Sequence, residues 1–209
     1  MLKSYRTVLR ASETEFTEKK SRFIGRCFPV ASAEEAMEKL GEVRKKHCDA
    51  THNCWAYALS SGEMRFSDDG EPGGTAGMPI MDTLIRRGVK DALIVVTRYF
   101  GGILLGSGGL VRAYSRAASD ALGEAGTGVM QPCEVIEFAV DYGRYGGIEG
   151  FVKSNSVVDG IDFSDLVRFR VTVEKEKAAS FMKEIVERTD GRAHPSSVSE
   201  RFIAIPEGE

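Results

Sequence analysis

"VVTRYFGGILLGSGGLVRAYSRAA", residues Val95 to Ala118, changes periodicity twice within one stretch. An apolar run ends at Arg98, and five glycines follow at Gly101, Gly102, Gly106, Gly108 and Gly109. Helical spacing then begins, with Leu110, Ala113, Tyr114, Ala117, Ala118, Ala121 and Leu122 on one face. The stretch therefore reads as strand, glycine-rich turn and helix. Its strand, "DALIVVTRY", is continuously apolar, which predicts a central strand covered on both faces. Arg112 and Arg116 lie four apart on the other face of the helix.

Upstream, "SYRTVLRASETEFTEKKSRFIGRCFPV" reads as a pair of extended segments around a polar connection, the second running from Ser21 to Pro29. "SAEEAMEKLGEVRKKHC" predicts a helix with Ser32 as N-cap, Glu35 in the capping-box position, and Ala36, Leu40 and Val43 on its inner face. "NCWAYAL" and "MRFS" predict strands joined by a Ser-Gly turn, followed by the loop "DDGEPGGTAG" and a short helix "MPIMDTLIRRG" with Pro79 in its first turn. Downstream, "GTGVMQP" (Gly126 to Pro132) breaks the pattern and reads as a domain linker. Beyond it, strand, helix, strand, strand, helix and strand follow in order. That βαββαβ series is the split-βαβ arrangement, an antiparallel sheet covered by two helices. The fold class expected is α+β in two domains, residues 1–130 and 131–209.

The chain has 209 residues, 42% of them hydrophobic, and a formal net charge of -3. That balance argues against wholesale wrapping of nucleic acid and against adhesion to an acidic membrane, while leaving room for local patches. The sequence has no apolar run near the roughly 20 residues that span a bilayer, and Met1 to Arg10 lacks a signal-peptide core, so the default expectation is a cytoplasmic protein without a membrane partner. Cys27, Cys48, Cys54 and Cys133 show neither paired spacing nor disulfide-scaffold density. His47, Cys48, His52 and Cys54 form a partial zinc-like cluster, but a helix-to-strand boundary among them would make the side chains diverge, so no metal and no cofactor is expected.

The glycine stretch admits two readings. In one, Arg98, Gly101, Gly102, Gly106, Ser107, Gly108, Gly109, Arg112 and Arg116 build an anion or nucleic-acid site on a helix N-terminus. In the other, the glycines solve a chain-crossing problem and the arginines pair with Asp68, Asp69 or Glu71. These three acids would orient the arginines, Thr75 would cap the following helix, and Asn53, Trp55, Tyr57 and Tyr99 would wall a mixed-charge groove. The loop is neither a Walker motif nor a Rossmann fingerprint. It somewhat resembles the phosphate loop of the galactokinase and homoserine kinase type, although Ser107 is its sole hydroxyl. A hydrolase would instead gather His52, Asp68, Asp69 and Glu71.

"FSDDGEPGGTAGMPI" and the Val95 to Ala118 stretch, supported by "SRFIG" and "HNCWAY", together resemble the two motifs of the Impact family, including its bacterial YigZ-like branch. The resemblance implies an N-terminal domain like the second domain of ribosomal protein S5. It also implies a C-terminal ferredoxin-like domain similar to a module of elongation factor G. Eukaryotic members of that family regulate translation through the pathway that senses amino-acid starvation. The function implied is a noncatalytic, translation-associated regulator with a ribosome, RNA or translation factor as partner. The alternatives are a phosphate-handling enzyme acting on a phosphate-containing ligand and a protein-interaction adaptor.

Overall fold

A computed structural model describes residues 4–206. The chain divides into two compact units, one of Met1–Met130 with Ala204–Glu209 and one of Gln131–Ile203. Both are α+β.

The first unit is built on a five-stranded antiparallel sheet of order β2-β3-β6-β4-β5, comprising β2 (Ser12–Glu18), β3 (Ser21–Pro29), β4 (His52–Ala58), β5 (Met64–Ser67) and β6 (Ala92–Tyr99). β6 is central, and its residues Ala92 to Arg98 are all buried, as its unbroken apolar run predicts. Alternation along the strands sends side chains to two different cores. On one face Phe23, Cys54, Ala56, Ile94 and Val96 pack with α2 (Gly77–Arg87) and α3 (Ser107–Ala125). On the other, Tyr57, Leu93 and Val95 pack with Ala36, Leu40 and Val43 of α1 (Ala33–Lys46). All seven residues predicted for the inner face of α3 are buried. Ser32 caps α1, its hydroxyl accepting from the Glu35 N–H at 3.2 Å, while the Glu35 carboxylate accepts from the Ala31 N–H at 2.7 Å rather than from Ser32.

Two expectations of extended structure are corrected. The leading segment is not one strand but two, β1 (Tyr5–Val8) and β2, separated by a bend at Leu9 to Ala11. β1 pairs with Thr127–Met130, so the stretch read as a linker is instead the start of the long strand β7 (Thr127–Val140). A partner some 120 residues earlier supplies the hydrogen bonds that local sequence does not reveal.

In the second unit, β7 continues into a sheet with β8 (Val157–Phe163), β9 (Val167–Glu174) and β10 (Ser196–Pro206), in the order β10-β7-β9-β8, with β7, β9 and β8 successively antiparallel. α4 (Tyr142–Asn155) and α5 (Lys175–Arg188) connect them, giving the βαββαβ series and a ferredoxin-like strand order. Ile136, Phe138, Phe169 and Val171 of the sheet share one core with Ile148, Val152, Phe181 and Ile185 of the helices.

Candidate functional site

The acidic loop after β5 is held by its own carboxylates. Asp68 accepts from the backbone N–H groups of Gly74, Ala76 and Gly77 at 2.9, 3.0 and 2.8 Å, which serves the open amides at the start of α2. Burial alone would raise its pKa, but these three N–H donors hold it below the ordinary carboxylate value. Thr75 does not cap α2, because its hydroxyl turns back to donate to the Pro72 carbonyl at 2.6 Å. Asp69 bridges elements, with one carboxylate oxygen 2.6 Å from the Arg44 guanidinium and the other accepting from the Asn53 N–H at 2.7 Å.

Glu71 points into the first unit. Its Oε1 accepts from Arg98 Nη1 at 2.6 Å and from the Tyr114 hydroxyl at 2.7 Å, and His52 Nε2 stands 3.8 Å away. Both members of the ion pair are buried, with side-chain exposures of 6% for Arg98 and 3% for Glu71. Arg98 also donates to Ser21 Oγ at 3.3 Å, and its guanidinium lies over the rings of Phe23 and Phe100. Cys54, whose thiol burial pushes up to about 12, donates to the Asp68 carbonyl and stands 3.5 Å from the Tyr114 hydroxyl. Arg98 is thus a tie between β6, the acidic loop and α3, and its guanidinium is not presented at the surface. His52 and the three acids, the grouping a hydrolase would need, are near one another, the acids engaged in these bonds and His52 Nδ1 donating to the Asp69 carbonyl at 2.8 Å. Among the described residues no three His, Cys, Asp or Glu side chains gather to hold a metal.

The glycine loop follows directly. Gly101 passes so close to β3 that a Cβ there would fall 2.0 Å from the Lys20 carbonyl. Gly106, the N-cap of α3, has φ 71 and ψ 162, a region open essentially to glycine alone. Gly102, Gly106, Ser107 and Gly108 are exposed, and Gly109 is half-buried against Leu105. α3 starts at Ser107, and the N–H groups of its first turn have no intrahelical acceptor.

Arg112 and Arg116 are exposed on α3 beside a cleft of about 250 Å³. Its other lining residues include Phe16 and Leu105 as apolar surface, Glu18 at the end of β2 and Lys19 from the β2–β3 turn. Arg112 makes no ion pair or hydrogen bond among the described residues. Arg116 lies over the Phe16 ring at 4.2 Å and has an open i,i+4 pair with Asp120 at 3.4 Å, an arrangement of little energetic weight.

The expected groove walls do not join this site. Asn53, Trp55, Tyr57 and Tyr99 occupy the sheet face that α1 covers, opposite Arg98, because each is an odd number of residues out of phase with it through the pairing of His52 with Arg98. Tyr57 is fully buried, Trp55 stacks on it, and Asn53 accepts from the Thr97 hydroxyl at 2.8 Å. On that face sits a network the sequence did not suggest. The Arg26 guanidinium, which can only donate, reaches His47 Nε2 at 2.7 Å, so His47 is neutral and its Nδ1–H faces the Tyr99 hydroxyl at 2.9 Å, which in turn donates to Asp49 at 3.0 Å. Burial and the adjacent Arg26 both lower the His47 pKa.

These features define a two-domain α+β protein in which a buried Arg–Glu tie fixes a glycine loop and sets a cationic helix face beside a small cleft. Residues 19–122 match the Impact N-terminal domain, and residues 138–192 match a domain of unknown function (DUF1949). The chain is 39% identical to IMPACT family member YvyE of Bacillus subtilis, covering 92% of this chain and 90% of that protein. It is 35% identical to IMPACT family member YigZ of Escherichia coli, covering 87% and 92% respectively. The rat Protein IMPACT is 33% identical over 95 residues, which are 43% of this chain and 30% of that protein. A crystal structure of a hypothetical protein, 31% identical, aligns over 95% of this chain and 99% of its own with a TM-score of 0.61. The chain belongs to the IMPACT family.

Proposed function

We propose that the protein is a noncatalytic, translation-associated regulator that works in the cytoplasm and binds RNA or the ribosome through the cationic face of α3. We read residues 1–130 as its binding domain and 131–209 as a ferredoxin-like docking module. The observation that carries this reading is Arg112, exposed and unpaired in the second turn of α3, with the loosely paired Arg116 one turn further on. Exposed cations and helical N–H groups together attract phosphate. Arg98 and the acidic loop belong to this function as scaffold, since their charges are consumed internally. Burial weighs against the phosphate-handling enzyme, because a general base must come within hydrogen-bond reach of the reacting proton and only 3% of the Glu71 side chain is exposed. Family membership supports the link to translation.

The test is cosedimentation of the whole protein with ribosomes and separated subunits across a salt series, with Arg112→Gln/Arg116→Gln as the comparison. Saturable binding lost in the double variant supports the reading. No cosedimentation at low salt overturns it.

A further inference from the structure

We propose that the cleft beside α3 receives one unpaired nucleotide, so that the RNA recognised is single-stranded; this rests on the RNA-binding reading above. An aromatic stack runs from the core beneath to Phe16 and Arg116 in the wall of the cleft. Tyr114 meets Phe23 edge-on at 5.4 Å, Phe23 stacks on Phe16 at 5.3 Å with planes 10° apart, and Arg116 covers the outer side of Phe16 at 4.2 Å. The Arg116 guanidinium carbon sits directly over the ring, and planar guanidinium faces are surfaces on which unpaired bases stack. Arg116 keeps 57% of its side chain exposed, so it is reachable.

The remaining walls divide the nucleotide between them. Leu105 and Ala113 offer apolar contact to the edge of a base, while Arg112 and Lys19 supply positive charge for the attached phosphate. Glu18 on the rim accepts hydrogen bonds, which suits a base amino group or a 2′-hydroxyl and disfavours a second phosphate. A cleft of about 250 Å³ lies below the roughly 300–1,000 Å³ of sites that enclose drug-sized ligands, which fits one base rather than a larger ligand. Duplex RNA keeps its bases inside and offers phosphates along a rigid surface, leaving the stacked guanidinium and the apolar wall unused.

The experiment measures fluorescence anisotropy of the full chain with a short single-stranded RNA, the corresponding blunt duplex and an acidic peptide, together with circular dichroism of each variant. The expected result is tighter binding of the single strand than of the duplex or the peptide. Arg116→Lys keeps the charge and removes the flat face, so single-strand affinity should fall about tenfold, the order of one base stack, with the salt dependence unchanged. Leu105→Trp fills the cleft without altering charge and should give a similar loss, which decides the matter if Arg116→Lys disturbs the fold. Equal or tighter binding of the duplex, equal or tighter binding of the peptide, or single-strand affinity unchanged in a folded variant overturns the inference. Protein that sediments with ribosomes yet prefers duplex defeats this inference alone, whereas protein that binds neither ribosomes nor RNA defeats the RNA-binding reading with it.

Discussion

Replacing Glu71 with Ala should destabilise the first unit far more than any exposed ion pair would. Glu71 supplies the acceptor for Arg98 at 2.6 Å and for Tyr114 at 2.7 Å through a single oxygen. Without it, Arg98 keeps only Ser21 Oγ at 3.3 Å as a hydrogen-bond acceptor, in a site where 6% of its side chain is exposed. Breaking a buried pair from one side costs about 3–5 kcal/mol, because the orphaned charge has neither water nor partner. Domains of this kind are stable by only about 5–15 kcal/mol, so the loss is a large share of the total. With a urea dependence of about 2 kcal/mol per molar, the midpoint should fall by roughly 2 M. The assay is urea unfolding followed by the fluorescence of Trp55, the one tryptophan of the chain, which lies in β4 of the first unit. Arg98→Met/Glu71→Leu should cost less than Glu71→Ala, since removing both charges leaves none uncompensated. A midpoint that moves by less than about 0.5 M in Glu71→Ala would refute the scaffold role assigned to this pair.

Other outcomes follow from the same bonds. His47 is held neutral and its pKa is lowered on folding, so the unfolded chain binds its proton first and the first unit should lose stability as pH falls below about 6.5. His47→Gln should flatten that part of the urea-midpoint profile between pH 7 and 5. Asp68→Ala removes the acceptor for three amides at the start of α2 and should cost about 1–2 kcal/mol at pH 7. Because the Asp68 pKa is lowered on folding, that difference should be present above about pH 4 and disappear on further acidification, as a paired urea titration would read. Gly101→Val should disrupt the passage of the loop against Lys20 and lower the thermal midpoint of the first unit.

The helices were legible because their burial follows from their own spacing. Ser32 announces α1, and the row from Leu110 to Leu122 defines the inner face of α3 without reference to any other element. The central position of β6 was legible for a similar reason, a run with no polar face to give to water. The start of β7 was not, since Gly126 to Pro132 carries turn-like residues and becomes strand through β1, a partner far away in the chain. Within the site, the sequence drew attention to two loops but could not say which arginine was free. Arg98 is consumed by Glu71, 27 residues away, a pairing that depends on how the acidic loop folds over the sheet. The misplaced groove walls carry a different lesson. Arg98 and Tyr99 are neighbours in one strand, so the period of two already places them on opposite faces, and the α1 face holds Asn53, Trp55 and Tyr57 as well. The buried Arg26–His47–Tyr99 network had no local signal, because it joins β3, the end of α1 and β6.

The central claim, that the α3 face of Arg112 and Arg116 meets RNA, with Arg112 on phosphate, while Arg98 does not, is tested most directly by the salt dependence of RNA binding. For single-stranded RNA the slope of log affinity against log salt is about 0.7 per phosphate neutralised. Arg112→Gln/Arg116→Gln should therefore reduce the magnitude of that slope by roughly 0.7, the one phosphate that Arg112 neutralises, with the urea midpoint unchanged. A double variant that binds RNA with the slope of the unaltered protein would contradict the account.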